Sequence, residues 1–365
     1  MLRILHVVGG LARGGTESAL MNFYRQIDKT VIQFDFVSHH PEQNAYEKEI
    51  KNLGGHIYYV PTYTGVNTLR YIQAWNAFFV THPEYKIIHA HTWSTASIYL
   101  PIAQHYGVYT IMHSHSVTAR KGLSAIARLV LKQPLRYIPD YYISCSNDAA
   151  IWLFGKRILS KKNLTILHNA IDLEKYRINE QIREKIRREN KVQDKIVIGH
   201  IGTFDYNKNQ EFIIDIFEKI HEKNGETVLW LIGEGSGLNS LCKRVSKESF
   251  ADDVIFWGVR EDIPELLQAM DVFLFPSSFE SFGNVALEAQ AAGLPVICST
   301  GVPKAVAATD LIEYLPLDNP DLWINKIEEL IDSPSKHRDM LDVLQNSKYD
   351  VRVVVKWLQD YYLSR

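Results

Sequence analysis

The chain predicts an α/β protein of two doubly wound, parallel-sheet domains, and three observations lead there. Short, nearly continuous apolar runs alternate with segments of helical periodicity, the βαβ rhythm of sheets covered on both faces. At 365 residues the chain is long for a single core, which makes two domains the natural division. Each half also opens with an apolar strand that runs into a glycine-bearing turn, Ile4 to Val8 before Gly9-Gly10 and Ile196 to Ile201 before Gly202. Ligands of such folds gather beyond the carboxyl ends of the strands.

Composition excludes several classes. The formal net charge is −2, so no broad field draws in nucleic acid. Cys145, Cys242 and Cys298 lie far apart without a CxxC pairing and read as reduced thiols. The opening MLRILHVVGG is already a strand, and no apolar run approaches the ~18 residues of a membrane span. A cytoplasmic protein with at most peripheral membrane contact is expected.

The first half follows in order. After Ile4 to Val8 comes the loop GGLARGG, then TESALMNFYRQI, helical through Ala19, Leu20, Phe23 and Ile27. The glycines permit close backbone approach to a ligand at that helix start, although the spacing is not a GxGxxG fingerprint. FDFVSHH, HIYYVP, KIIHAHTW, VYTIMHSHS and DYYISCS read as further strands, with helices between them. The HxH pairs His89/His91 and His113/His115 each point two rings to one face of a strand. No Cys or carboxylate cluster accompanies them, so no metal site is expected, and His89 and His91 read as core histidines. The stretch 118–139, TARKGLSAIARLVLKQPLRYIP, carries Arg120, Lys121, Arg128, Lys132 and Arg136 without an acid. It fits either an anionic membrane surface or a helix packed on its own sheet with a solvated basic face.

The expected division runs 1–171 for the first domain and 172–346 for the second. A last helix at 347–365 carries Val354, Trp357, Leu358 and Tyr361 on one side. The charged run ending at Asp194 reads as an exposed helix or linker. The second half then places Lys208 in the loop after its first strand, a position that suits phosphate. Its most informative stretch is FPSSFESFGNVALEAQAAGLPVIC, from Phe275 to Cys298. A strand end, a turn and a helix are expected, with Glu280 at the helix start and Glu288 about 12 Å further along the axis. The amides of Phe282, Gly283, Asn284 and Val285 would lack helical partners there, and Gly283 would let an anion come close. A diphosphate bracketed by two carboxylates has the shape of a nucleotide-sugar.

SFESFGNVALEAQAAGLPVI resembles the E-x7-E segment of the family-four retaining glycosyltransferases, and GGLARGGTE and NAID resemble that family's GG-x-E loop and hinge. The resemblance spans nearly the whole chain and lies nearest the branch that builds bacterial exopolysaccharide, capsule or O-antigen. It implies the GT-B fold, two Rossmann-like parallel-sheet domains facing across a cleft, with the last helix crossing back to the first domain. It implies a hexosyltransferase that moves sugar from a UDP-sugar to a saccharide or polyprenyl-linked acceptor with retention, by same-face attack, without metal or cofactor. By the same resemblance Glu280 holds donor-sugar hydroxyls, Glu288 the ribose diol, and His113 the sugar near the reacting carbon, with His115 next in line. Gly14 and Gly15 lie beneath the donor. Lys208 and the amides of Gly283, Asn284 and Val285 stabilise the leaving diphosphate, and the loop at Arg260 reads the base. Thr203 stands where the family carries arginine, so a charge is missing from the phosphate clamp. It also favours the membrane surface for 118–139. The rival expectations are a UDP-sugar 2-epimerase on the same fold and a catalytically silent nucleotide-sugar-binding protein.

Overall fold

A computed structural model describes every residue except Arg13, Gln43, 116–128 and 333–336. The chain forms two compact units, Met1–Ala170 with Lys348–Arg365, and Ile171–Ser347.

The strands of the first unit are β1 (Leu2–Val8), β2 (Ile32–Ser38), β3 (Ile57–Tyr59), β4 (Ile87–Ala90), β5 (Tyr109–Ser114), β6 (Tyr141–Ser144) and β7 (Leu164–Ile166). They form one parallel sheet in the order β3-β2-β1-β4-β5-β6-β7. Alternation along the strands sorts the core into two layers. Ile4, Val8, Ile87, Ile111 and Ile143 face the helices Gly15–Gln26 and Val351–Leu363. Leu5, Val7, Ile88 and Met112 face Thr68–Thr81 and Ala96–His105, where Trp75 and Tyr99 stack at 4.8 Å.

The last helix thus belongs to the first unit although 177 residues of the second unit, 171–347, precede it. Asp350 starts it by accepting the Arg352 N–H at 2.9 Å, a side-chain cap. Val354, Val355, Leu358 and Tyr362 are buried against the sheet, and the Tyr362 hydroxyl lies 2.6 Å from His89 Nδ1. Leu358→Ala should therefore destabilise the first unit by about 2–5 kcal/mol, read from denaturant unfolding. An unchanged midpoint would mean that this helix is not part of its core.

The strands of the second unit are β8 (Ile196–Ile201), β9 (Thr227–Ile232), β10 (Val254–Gly258), β11 (Val272–Phe275), β12 (Val296–Ser299) and β13 (Ile312–Leu315). They too are parallel, in the order β10-β9-β8-β11-β12-β13. Both sheets grow outward from their first strand and then return to its other side. The strand order therefore reverses between β1 and β4 and again between β8 and β11, and a crevice opens at the carboxyl ends of each pair.

Three local expectations are corrected. The charged run is a helix, Glu180–Glu189, but it is not free in solvent. Arg187 is buried, donates to Ala269 O at 2.8 Å and meets Asp271 at 2.9 Å, and Arg183 pairs with the same carboxylate. Amphipathic arginines can hide their stems while satisfying carbonyls at the tip. Of 118–139, residues 118–128 lie outside the described residues. Lys132, expected on a basic face turned to a membrane surface or to solvent, is buried, with its ammonium on Trp152 O at 2.7 Å and over the Trp152 ring. Finally, the helix expected from Glu280 begins only at Asn284. Among the described residues no helix is long and apolar enough to cross a membrane.

Candidate functional site

The crevice between β8 and β11 is built from two loops that hold each other. The β8 loop runs from Gly202 to Asn209, which caps the helix Gln210–Lys223 in a left-handed conformation. Asn207 O accepts the Ser278 amide at 2.8 Å, and its side-chain amide donates to Phe279 O at 2.7 Å. On the far side the Glu280 amide donates to Gly301 O at 3.1 Å. Behind the β8 loop the Gly233-Glu234-Gly235 segment presses backbone on backbone. A Cβ at Gly233 would lie 2.1 Å from Gly202 O, and one at Gly235 would lie 2.4 Å from Phe204 O. Only glycine allows that approach.

Lys208 and Glu280 meet in this crevice as an ion pair, both side chains largely buried, with the ammonium 5.0 Å from the centre of the Phe275 ring. The lysine stem lies along Gly202, where a Cβ would come within 3.3 Å of it. Thr203 is exposed and uses its carbonyl, not its hydroxyl, to accept from Gln210 at 2.9 Å. Another cation is nearby. Lys304 sits over the Tyr314 ring at 3.3 Å, and its charge and that of Glu280 both act on the buried Cys298 thiol.

Gly283 explains why the helix starts late. Its φ of +94° ends the extended approach, and Asn284 is the first helical residue. Glu280 consequently sits in the loop rather than on the helix. The amides of Gly283 and Val285 meet no acceptor among the described residues, whereas Ala286 already donates to Gly283 O at 3.0 Å. An anion at this helix start would find its open donors at Gly283 and Val285. Gly283→Ala should cost about 1–3 kcal/mol through its backbone conformation. Its Cβ would also stand 3.1 Å from Phe275. A thermal melt unchanged by that substitution would contradict the placement.

Glu288 lies beyond this turn, half-buried. Burial pushes its carboxyl up to about 7, against a hydrogen bond from the Tyr176 hydroxyl that favours the ionised form. Tyr176 closes the short helical turn Leu173–Tyr176 just after the NAID segment. Nothing in the local pattern linked it to a glutamate more than a hundred residues on. Arg260, in the loop after β10, is engaged by Asp262 at 2.8 and 2.5 Å and lies over Trp257.

Gly14, Gly15 and His113 belong to the first unit. Gly14 caps the helix Gly15–Gln26, and a Cβ there would lie 2.5 Å from Glu17 Oε2, so its bareness makes room for that carboxylate. Burial raises Glu17 to about 7, partly offset by its own backbone amide. A pocket beside β1 and β4 is lined by Gly9, Thr16, Glu17, His91, Thr92 and His115. His113 does not line it. It lies within β5 at 1% exposure with neither ring nitrogen bonded among the described residues, while His115, half-buried just past the strand, reaches the pocket. Burial drives His113 well below the ordinary histidine value and takes His115 down to about 3, so both rings are neutral. Glu17 was visible as the acid of GGTE; only the pocket gives it a place.

Residues 13–175 match the family described as Glycosyltransferase Family 4, and residues 181–343 match the glycosyl transferases group 1. EpsF of Bacillus subtilis strain 168, named as a glycosyltransferase, is 31% identical over 99% of this chain and 96% of its own. HepE of Anabaena, solved with UDP and with UDP-glucose, superposes with a TM-score of 0.81 at 17% identity over the whole of both chains. WaaG, a glycosyltransferase involved in lipopolysaccharide biosynthesis, reaches 0.74 at 15% identity, covering 98% of this chain and 99% of its own. At these identities the solved structures speak for the fold.

Proposed function

Because the chain belongs to the family-four glycosyltransferases, with the two Rossmann-like sheets of the GT-B fold, we propose that it moves a sugar from a UDP-sugar to a saccharide or lipid-linked saccharide acceptor in surface-polysaccharide synthesis. The configuration at the sugar carbon is retained, and neither metal nor cofactor takes part in the transfer. The observation that carries this is the Lys208–Glu280 ion pair at the β8/β11 crevice, next to the helix start at Gly283. An incoming diphosphate takes Lys208 from Glu280 and lies against the 283–285 amides. Glu280, released, accepts hydroxyls of the sugar, and Glu288 accepts the ribose diol. Charge that develops on the leaving diphosphate then faces a cation and oriented dipoles already in place. Lys304 is the cation offered in place of the one missing at Thr203. The UDP complexes of HepE favour uracil as the base.

Incubation with UDP-glucose, UDP-galactose and their N-acetyl forms, with and without lipid and saccharide acceptors, tests the proposal. Acceptor-dependent UDP release with an unchanged anomeric configuration is expected. Interconversion of UDP-sugars without acceptor would establish the epimerase instead, and tight donor binding without turnover the silent binder. An acceptor carried on lipid brings the chain to an anionic membrane surface through 118–139. Since Lys132 is committed inward, Arg120, Lys121, Arg128 and Arg136 should carry that contact. Co-sedimentation with anionic vesicles that survives their replacement by serine would remove this partner.

A further inference from the structure

We propose that the first unit binds a divalent transition-metal ion, with zinc the best fit, on His91, His113 and His115. Five histidines share one face at the carboxyl ends of the central strands: His6 on β1, His89 and His91 on and after β4, His113 and His115 on and after β5. Side chains two apart on a strand share a face, and the parallel register sets His6 opposite His89. Ring centroids lie 3.9 Å apart for His113–His115, 5.0 Å for His91–His115 and 5.5 Å for His91–His113. One ring nitrogen from each of these three falls within 4.8 Å of the others. A tetrahedral zinc with bonds of about 2.0–2.1 Å sets its nitrogens about 3.4 Å apart, so side-chain rotation has to bring these three in by up to about 1.4 Å.

Stacking accounts for the rings but not for their nitrogens. Among the described residues His6 Nε2, His89 Nε2, both nitrogens of His113, and His115 Nδ1 are buried without a partner. Such atoms are usually satisfied, and several in one cluster call for an occupant. The second layer is also in place. His91 Nε2 lies 3.0 Å from His6 Nδ1. If His91 donates there, its Nδ1 lone pair is left facing His115 Nε2, 2.7 Å away. In the structure that contact is an N–H···N hydrogen bond, and a bound ion would replace its proton. A histidine that donates from one ring nitrogen and ligates through the other is the usual outer-shell arrangement.

The inner trio His6, His89 and His91 satisfies the same distance, but none of its members is half-exposed as His115 is, and His89 Nδ1 is held by Tyr362. A pocket reaches the outer trio at two of its members, His91 and His115, and the inner trio only at His91. Imidazole donors select zinc, copper or nickel over magnesium or calcium. Lys208 and Glu280 belong to the other unit, and the site is independent of their role in sugar transfer.

The test uses the untagged full chain, stripped with a chelator and titrated with Co²⁺ and then Zn²⁺. One cobalt per chain is expected, with the intense visible absorption of a tetrahedral site, displaced by one zinc. His115→Ala should abolish that band while far-ultraviolet circular dichroism stays unchanged, since this side chain is only half-buried. His6→Asn should weaken binding about 10–100-fold through the lost outer contact. Absence of a stoichiometric band in the wild type overturns the site. So does cobalt binding by His115→Ala that equals the wild type. Loss in His6→Asn with retention in His115→Ala overturns this assignment in favour of the inner trio.

Discussion

Lys208→Ala is expected to slow UDP release by about 10²–10³-fold, the range for losing one preorganised charge at a leaving group. It should also lower stability by up to about 3 kcal/mol, because a buried carboxylate loses its partner. The pair is well shielded, with side-chain exposures of 17% and 13% for Lys208 and Glu280. The two effects are separable. Lys208→Ala combined with Glu280→Gln removes the stranded charge and should restore the melting temperature, but not turnover. If turnover returns with stability, Lys208 acts only by holding Glu280, and the phosphate clamp must be sought elsewhere, at Lys304 first.

Affinity for UDP-glucose should rise about tenfold from pH 6 to pH 8, a range in which the ligand's diphosphate stays fully ionised. Glu288 must ionise to accept both ribose hydroxyls, and burial holds its carboxyl near 7. Below that value each pH unit costs the complex about 1.4 kcal/mol to remove the proton. The sign for folding is the opposite. A carboxyl raised in the folded state binds more protons there than when unfolded. Its stabilising contribution is complete below its ordinary value near 4.5 and is lost as pH rises through about 7. The unliganded protein should thus lose stability over the window in which donor binding strengthens. Calorimetric titration of the wild type and Glu288→Gln checks this. A flat wild-type profile, or an equal slope in the glutamine variant, would take the ribose role from Glu288.

Much of the architecture was legible because parallel strands buried on both faces are apolar at nearly every position, as in FDFVS and VLWLI. The loops were legible too, since glycine and proline mark where the backbone must turn. Glu280, Lys208 and Gly283 were named from local pattern, and they meet in one crevice. The helix start was misplaced by four residues, because ESF continues a helical pattern and only the left-handed Gly283 shows the break. Lys132 and Arg187 were read as solvated for a similar reason. Composition marks a cation as polar, but not whether a carbonyl awaits it inside.

The amino-acid sequence by itself determined the alternation of strands and helices, the two-sheet class and the loops that carry chemistry. Each of these rests on periodicity or on the backbone limits of a few residue types, which act over one to four neighbours. Tertiary structure alone decided who meets whom. A βαβ repeat does not state where the strand order reverses, and that reversal brings β11 beside β8 and β4 beside β1. It joins Lys208 to Glu280 across 72 residues and His6 to His91 across 85. It likewise sets Tyr176 on Glu288 and gathers five histidines on one face. Contacts of that reach are made by packing whole layers, and no local pattern encodes them.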